Sequence, residues 1–190
     1  MSLERRAAMA ALVKDRGDLL IVPGLGSTTW DLAAAGDDPR NFYLWGAMGG
    51  AAMIGLGLAL AQPQRRVAVI TGDGEMLMGM GSLATIGIKK PANLAVIVFD
   101  NGVYGETGMQ PSHTQGGVDL TSVARGCGIA QTFEVDDEAG LADLAGRLKT
   151  FDETFFARVR ISAEEPPRVL PEKDGNALKN RFRTALGLKA

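Results

Sequence analysis

Cysteine is nearly missing from this sequence: Cys127 is the only one. That excludes an internal disulfide framework, and any iron–sulfur cluster or multi-thiolate metal site held by this chain alone. A lone thiol fits a reducing cytoplasm. With no acid or base pattern around it, Cys127 reads as a small buried hydrophobe. Histidine is as scarce, with His113 alone, so a histidine-rich metal centre is ruled out too. An excess of one charge is also lacking. Twenty Lys and Arg stand against 22 Asp and Glu, with no basic run, which argues against nucleic acid as a partner. No apolar run reaches the length of a membrane span, because glycines and charges interrupt each candidate. The opening MSLERRAAMAALVKDRG is basic and only briefly apolar; it lacks an h-region and cleavage site and reads as a helix. The turns after the apolar runs contain neither GxGxxG nor GxxxxGK[ST], so a simple nucleotide-binding domain is disfavoured.

What the chain does have is glycine: 25 in 190 residues, about twice the usual share. Much of it lies between Gly24 and Gly128, in short groups at the ends of apolar runs. Hydrophobic residues at 46% and charged residues at 22% are ordinary for one globular domain of this length.

Along the chain, short apolar runs alternate with helical patterns. Residues 3–15 predict a helix, Asp18–Val22 a strand, and Ser27–Ala35 a helix after the Pro23-Gly-Leu-Gly26 break. Phe42–Trp45 is a candidate strand, and Gly49–Ala61 a helix whose small residues permit close packing. Arg66–Thr71 predicts a strand, Met76–Ile88 a helix, and Asn93–Phe99 a strand. Then follow a helix over 119–126, a strand over 131–135, a helix over 137–148 and a strand over 155–161. The Pro-rich segment EEPPRVLPEKDG reads as a packed strap, and 176–186 as a closing helix. Fully apolar strands alternating with helices specify an α/β fold of three α/β/α layers around a mostly parallel sheet. All 190 residues form one domain, with the strap and final helix over 163–190.

Ligands bind at the carboxyl ends of such strands, and three of these ends are polar or glycine-rich. In Gly72-Asp73-Gly74, the glycines let the backbone turn sharply and approach a ligand. The helix that follows offers unpaired N–H groups suited to phosphate. An aspartate there repels phosphate unless a cation sits between them, and a hard divalent ion such as Mg²⁺ resolves the conflict. Asn101 at the next strand end can give the same ion a side-chain oxygen, and Gly102 frees the carbonyl of Val103 to turn inward. An Asp-Gly turn alone is common; the pairing of both strand ends is the stronger signal.

The segment from Gly72-Asp73-Gly74 through 26 intervening residues to Asn101 resembles the cofactor-binding motif of the thiamine diphosphate-dependent enzymes. The resemblance extends over about residues 18–162 and corresponds to the domain that holds the diphosphate, the PP domain, with a thiamine diphosphate-binding fold. It implies thiamine diphosphate and Mg²⁺, or another divalent cation, as cofactors. It also implies Asp73, Asn101 and the Val103 carbonyl as metal ligands. Leu44-Trp-Gly-Ala-Met-Gly49 resembles the family's pyrimidine-side loop. There Met48 takes the place of an aliphatic wedge that bends the cofactor, a catalytic role through geometry, and the Gly46 carbonyl accepts from the pyrimidine amino group. Gly26, Ser27 and Thr28 resemble the loop that binds the terminal phosphate; Ser27 alone would read as a helix cap. Gly72, Gly74, Tyr104 and Gly105 complete the expected cofactor contacts. Glu75 departs from the small residue, often Ser, found in relatives. A second carboxylate beside diphosphate is unfavourable, so this position is expected to give its backbone N–H and point its side chain away.

Within the family, the stretches GLGLAL, GDGEMLMGMGSLATIG, PANLAVIVFDNGVYGETGMQ and KNRF most resemble the β subunits of sulfopyruvate decarboxylases and the equivalent half of phosphonopyruvate decarboxylases. The resemblance implies a carboxy-lyase acting on a small anionic 2-oxoacid. It also implies a separate Pyr-domain (α) subunit that provides the catalytic glutamate, because Glu4 and Glu106 lie in the wrong context. A homo- and hetero-oligomer, at least a dimer of heterodimers in the cytoplasm, is the expectation, with neither nucleic acid nor membrane as partner. His113 reads either as a proton shuttle or anion contact near the reactive end, or as a solvent-facing loop residue. Tyr104 reads as packing, and Gln110 as a residue near the substrate. Three alternatives stay open: a carboligating enzyme of the acetolactate or sulfoacetaldehyde type, a 2-oxoacid:ferredoxin oxidoreductase subunit, and a non-catalytic regulatory cofactor-binding domain.

Overall fold

The computed structural model describes residues 2–189. Five parallel strands form the central sheet: β1 (Leu20–Pro23), β2 (Val67–Gly72), β3 (Leu94–Asp100), β6 (Gln131–Val135) and β7 (Phe155–Arg160). Their spatial order is β1-β2-β3-β7-β6. Eight α-helices surround it: α1 (Arg5–Val13), α2 (Ser27–Ala34), α3 (Ala51–Ala61), α4 (Asp73–Met78), α5 (Ser82–Lys89), α6 (Leu120–Gly126), α7 (Glu138–Leu148) and α8 (Gly175–Ala185).

Strands β1, β2 and β3 are apolar on both faces because both are covered, whereas β6, at the sheet edge, is only partly buried. Alternate residues take opposite sides, as the two-residue strand period requires. Ile21, Ile70, Ile97 and Phe155 pack with α1, α2 and α7, while Val22, Val69, Val96 and Phe156 pack with α3, α5 and α6. The result is the expected three layers. Each such fully buried side chain contributes about 1.5–3 kcal/mol relative to an exposed one. Small residues set the helix spacing. A Cβ at Gly55 would lie 2.1 Å from Val69 Cγ2, so α3 rests directly on β2. Gly87 plays the same part for α5 against the backbone of Cys127, which caps α6. Cys127 is half-buried rather than fully enclosed, since the end of a helix leaves it a solvent edge.

Two sequence expectations are corrected. Phe42–Trp45 is not a strand; the chain touches the sheet edge there through a single bridge, Ile21 with Asn41. Trp45 instead swings out, and its indole N–H donates to the Glu172 carbonyl at 2.8 Å. The expected helix over 76–88 is two helices, α4 and α5, separated by Gly79 and Gly81. Their lack of a side chain lets the chain break and lets Gly79 meet Gly49, whose carbonyl oxygen would lie 2.3 Å from any Cβ there.

After β3 the chain does not go straight to its neighbour β7. Residues 101–119 first fold over the strand ends, including a small antiparallel ribbon, β4 (Val103–Tyr104) with β5 (Gln110–Pro111). Strands of two residues carry no periodicity, so this ribbon has no pattern to read in advance. Residues 162–174 form an irregular strap. It is tied down by Arg6 donating to the Pro167 carbonyl at 2.7 Å and by the Arg168 guanidinium stacked 4.3 Å above the Trp30 ring.

Candidate active site

Strand register decides which residues meet. Gly72 of β2 pairs with Phe99 of β3, so the next residue on each strand, Asp73 and Asp100, emerges side by side. Asn101 follows immediately, and the Gly24 amide, just past β1, donates to the Ile70 carbonyl at 2.8 Å. These strand ends open into a cavity of about 410 Å³ whose wall includes Ser27, Met48, Asp73, Glu75, Asn101 and Val103. Gly72, Gly74, Tyr104 and Gly105 lie on the same wall. Three other expected contacts do not. Thr28 is buried inside α2 with 1% exposure, and Gly26 and Gly46 stand off the wall. Gly26 is the N-cap of α2 in a left-handed conformation, φ +67°. Ser27 is therefore the first helical residue and not the cap, and its hydroxyl is not spent on capping.

Asp73 is 2% exposed. Burial pushes its carboxyl above the usual range, a hydrogen bond from Ser112 opposes this, and the Asp100 charge adds to the rise. Its Oδ2 accepts from the Ser112 hydroxyl and lies 3.2 Å from Thr114 Oγ1, whose one hydrogen has a shorter acceptor in Asp100 at 2.8 Å. Asn101 Oδ1 accepts from the Val103 amide at 3.0 Å, an Asx turn that folds residues 101–103 toward the cavity. Asp100 does not face a ligand: it accepts from the Gly102 amide and Thr114 hydroxyl on Oδ1 and from Arg158 on Oδ2.

Glu75 is 5% exposed, and both of its oxygens are occupied. Oε2 accepts from the Leu25 amide at 2.7 Å and Oε1 from the Ala51 amide at 3.3 Å. The side chain thus binds the loop after β1 to the start of α3 rather than reaching for a ligand. Gly24 makes room, because a Cβ there would lie 2.2 Å from Oε2.

The wall carries five carboxylates, Asp73, Glu75, Glu106, Glu164 and Glu165, against two guanidinium groups, Arg5 and Arg168. Both cations are matched already, Arg5 to Asp31 at 2.9 Å and Arg168 to Glu106 at 3.4 Å. A diphosphate is strongly disfavoured here without a further cation. The oxygen-only donors Asp73, Asn101 and Val103 suit a hard divalent ion, so the residues present fit a metal-bound diphosphate. Among the described residues no three His, Cys, Asp or Glu side chains cluster as a metal site, so any site draws on the amide and carbonyl oxygens as well.

Met48 sits at the junction of this cavity with a second, apolar one of about 370 Å³ that also holds Tyr104 and His113. It is 45% exposed and follows Ala47, whose φ of +62° is rare for a residue with a side chain. Strain of this kind collects at functional loops. His113 is exposed, and its Nδ1 lies 3.1 Å from the Tyr104 hydroxyl; Tyr104 is thus a hydrogen-bond partner and not packing alone. Gln110 is turned into local contacts with Thr107.

A family model described as the C-terminal TPP-binding domain of thiamine pyrophosphate enzymes matches residues 24–156. The chain belongs to that family. It is 40% identical over 185 residues to a sulfopyruvate decarboxylase subunit beta of Methanothermobacter thermautotrophicus, covering 96% of this chain and 95% of that one. A subunit beta of the same name from Methanocaldococcus jannaschii is 46% identical over 110 residues, 58% of each chain. A phosphonopyruvate decarboxylase of Streptomyces viridochromogenes is 46% identical over 133 residues, 70% of this chain but 32% of its own length. The chain therefore spans less than two thirds of several of these relatives. Among solved structures, the benzoylformate decarboxylase of Polynucleobacter necessarius superposes with a TM-score of 0.75 at 20% identity, over 88% of this chain and 34% of that one; this likeness concerns the fold. No described helix is long and apolar enough to cross a membrane.

Functional residues that sequence reasoning missed are Asp100, Ser112, Thr114 and Arg158, together with Arg5 and the strap residues on the cavity wall. Asp100 stood next to a named residue and was passed over. Ser112 and Thr114 lie in the loop just past the motif and the others further off, and none carries a signature of its own.

Proposed function

We propose that this chain is the diphosphate- and metal-binding subunit of a heteromeric thiamine diphosphate-dependent 2-oxoacid decarboxylase. Its substrates are three-carbon 2-oxoacids with an anionic head group, such as sulfopyruvate or phosphonopyruvate. The observation that carries this reading is the convergence of Asp73, Asn101 and Val103 on one cavity wall, in a chain matching a decarboxylase β subunit from end to end.

When bound, the cofactor supplies a sink for the electron pair left by departing CO₂. Asp73, Asn101 and the Val103 carbonyl hold the divalent cation, and Ser27 contacts the phosphate end. Met48, between the two cavities, supports the bent form of the cofactor. His113, backed by Tyr104, faces the substrate end and handles a proton there.

Glu4, Glu75 and Glu106 are each engaged away from the proton transfer that activates the cofactor. Glu4 caps α1, accepting from the Arg6 and Ala7 amides at 3.0 and 2.7 Å. Glu75 is held by backbone amides, and Glu106 pairs with Arg168. A Pyr-domain partner supplies that glutamate. It also supplies cations for the substrate head group, since this cavity is acidic. The exposed loop from Trp45 to Met48 lies where such a partner closes the site.

The test is to co-express the chain with its partner and follow CO₂ release from sulfopyruvate and phosphonopyruvate with Mg²⁺ and cofactor. The pair should turn over and each chain alone should not. Asp73→Asn should abolish both cofactor binding and turnover. Activity of this chain by itself, or full activity of Asp73→Asn, contradicts the reading.

A further inference from the structure

In the segment Ser112-His113-Thr114 the residues face alternate ways, His113 outward and its two neighbours inward. Ser112 and Thr114 are 3% and 8% exposed, and both hydroxyls turn inward to the Asp73 carboxylate. They also lie 2.8 Å from each other. Thr114 Oγ1 is 2.8 Å from Asp100 Oδ1, and Asp100 is in turn paired with Arg158. The Ser112 amide donates to the Gly102 carbonyl at 2.7 Å, which fixes the segment to the Asn101–Val103 turn. Both hydroxyls meet the same oxygen of Asp73, Oδ2, and no side chain donates to Oδ1.

We infer that Ser112 and Thr114 are positioning residues for the metal ligand: they hold Oδ2 so that Oδ1 of Asp73 is presented to the cation. The inference rests on the metal-site reading given above. A carboxylate on its own rotates about its Cβ–Cγ bond and can turn both oxygens inward or engage the cation with either. The Ser112 hydroxyl donating to Oδ2, with Thr114 packed against both and anchored on Asp100, removes that freedom, and outer partners of this kind commonly govern metal affinity. The chain from Arg158 through Asp100 to Thr114 anchors the arrangement to β7, so the geometry comes from the sheet rather than from the loop. Ser112 and Thr114 touch neither cofactor nor substrate in this role.

The test uses the complex with its partner chain, titrated with Mg²⁺ at saturating thiamine diphosphate by calorimetry. Ser112→Ala and Thr114→Val are each expected to weaken Mg²⁺ binding by about 10- to 100-fold. Thr114→Ser, which keeps the hydroxyl, is expected to bind like the wild type. Melting temperatures in EDTA without cofactor are expected to stay near the wild type for Ser112→Ala. A positioning role shows as a loss of metal affinity out of proportion to any loss of fold. Wild-type Mg²⁺ affinity in Ser112→Ala and Thr114→Val, with Asp73→Asn unable to bind, overturns the inference and leaves the metal site standing. Wild-type binding by Asp73→Asn overturns the metal-site reading and this inference with it. Should Thr114→Val fail to fold, Ser112→Ala and Thr114→Ser decide the matter on the same titration.

Discussion

Glu75→Gln isolates what this buried carboxylate does. The substitution keeps the shape but leaves one acceptor where there were two. The amide oxygen takes the shorter contact, with the Leu25 amide at 2.7 Å. The amide nitrogen then faces the Ala51 N–H, which currently donates to Oε1 at 3.3 Å. A buried N–H left without an acceptor costs about 1–3 kcal/mol. Loss of negative charge at the start of α3 costs roughly 0.3–1 kcal/mol more. Against this, a neutral amide is cheaper to bury than a carboxylate, which leaves a net loss of about 1–3 kcal/mol. For a domain of this size that corresponds to a melting temperature lower by about 2–12 °C. Because Glu75 joins the loop after β1 to the start of α3, cofactor affinity should fall too, by about 5- to 150-fold for the same free energy. Circular dichroism melting of the chain and calorimetric titration of the complex measure the two effects. An unchanged melting temperature with tighter cofactor binding would refute the clamp; the carboxylate would then merely be opposing the diphosphate.

Gly24→Ala should destabilise the chain by about 1–3 kcal/mol. Its Cβ would sit 2.2 Å from Glu75 Oε2 and 3.0 Å from the backbone of Thr71, and urea denaturation reads the loss. The raised carboxyl of Asp73 predicts a pH dependence. Its proton is held more tightly in the fold than in the unfolded chain. Its contribution to cofactor-free stability is therefore full below the ordinary carboxylate value, about 3.9, and is lost as pH rises through the folded value. Cation binding expels that proton, so the thermal stabilisation given by Mg²⁺ and cofactor should shrink as pH falls toward the carboxylate range. Equal stabilisation at neutral and acidic pH would show that Asp73 is not a ligand. His113→Gln should lower turnover of the complex while leaving cofactor affinity unchanged; a parallel loss of both would place His113 in the binding loop instead.

The fold was legible because both signals it needs are local. Runs such as Leu94–Phe99 are apolar throughout, and a strand covered on both faces has no other pattern available. Where a signal depended on a tertiary contact, the reading failed. Met76–Ile88 has helical character along its whole length, and nothing within it says that Gly79 must lie against Gly49. Phe42–Trp45 has the composition of a strand, but Trp45 is drawn off by a carbonyl of the strap 127 residues further on. The metal-ligand candidates were legible for a different reason: Asp73 and Asn101 directly follow the ends of adjacent parallel strands, so both reach one cavity wall. Ser112 and Thr114 could not be found this way. They reach Asp73 from 39 and 41 residues away, through a loop whose course is set by its own ribbon.

The acidity of the cavity joins these observations into one requirement. Five carboxylates face it, and the two guanidinium groups on its wall are already paired. A diphosphate here would need a divalent cation held by Asp73, and the anionic head of a substrate would meet no unpaired cation among the described residues of this wall. The first condition would give a purpose to the two hydroxyls, of Ser112 and Thr114, set against one oxygen of Asp73. The second would place substrate selection with the proposed partner. Exchanging partner chains between related complexes should therefore move the preference between sulfonate and phosphonate head groups while this chain and its cofactor affinity stay the same. A preference that followed this chain instead would place the selecting cation here, with Arg5 and Arg168 as the groups that would have to leave their carboxylates to provide it.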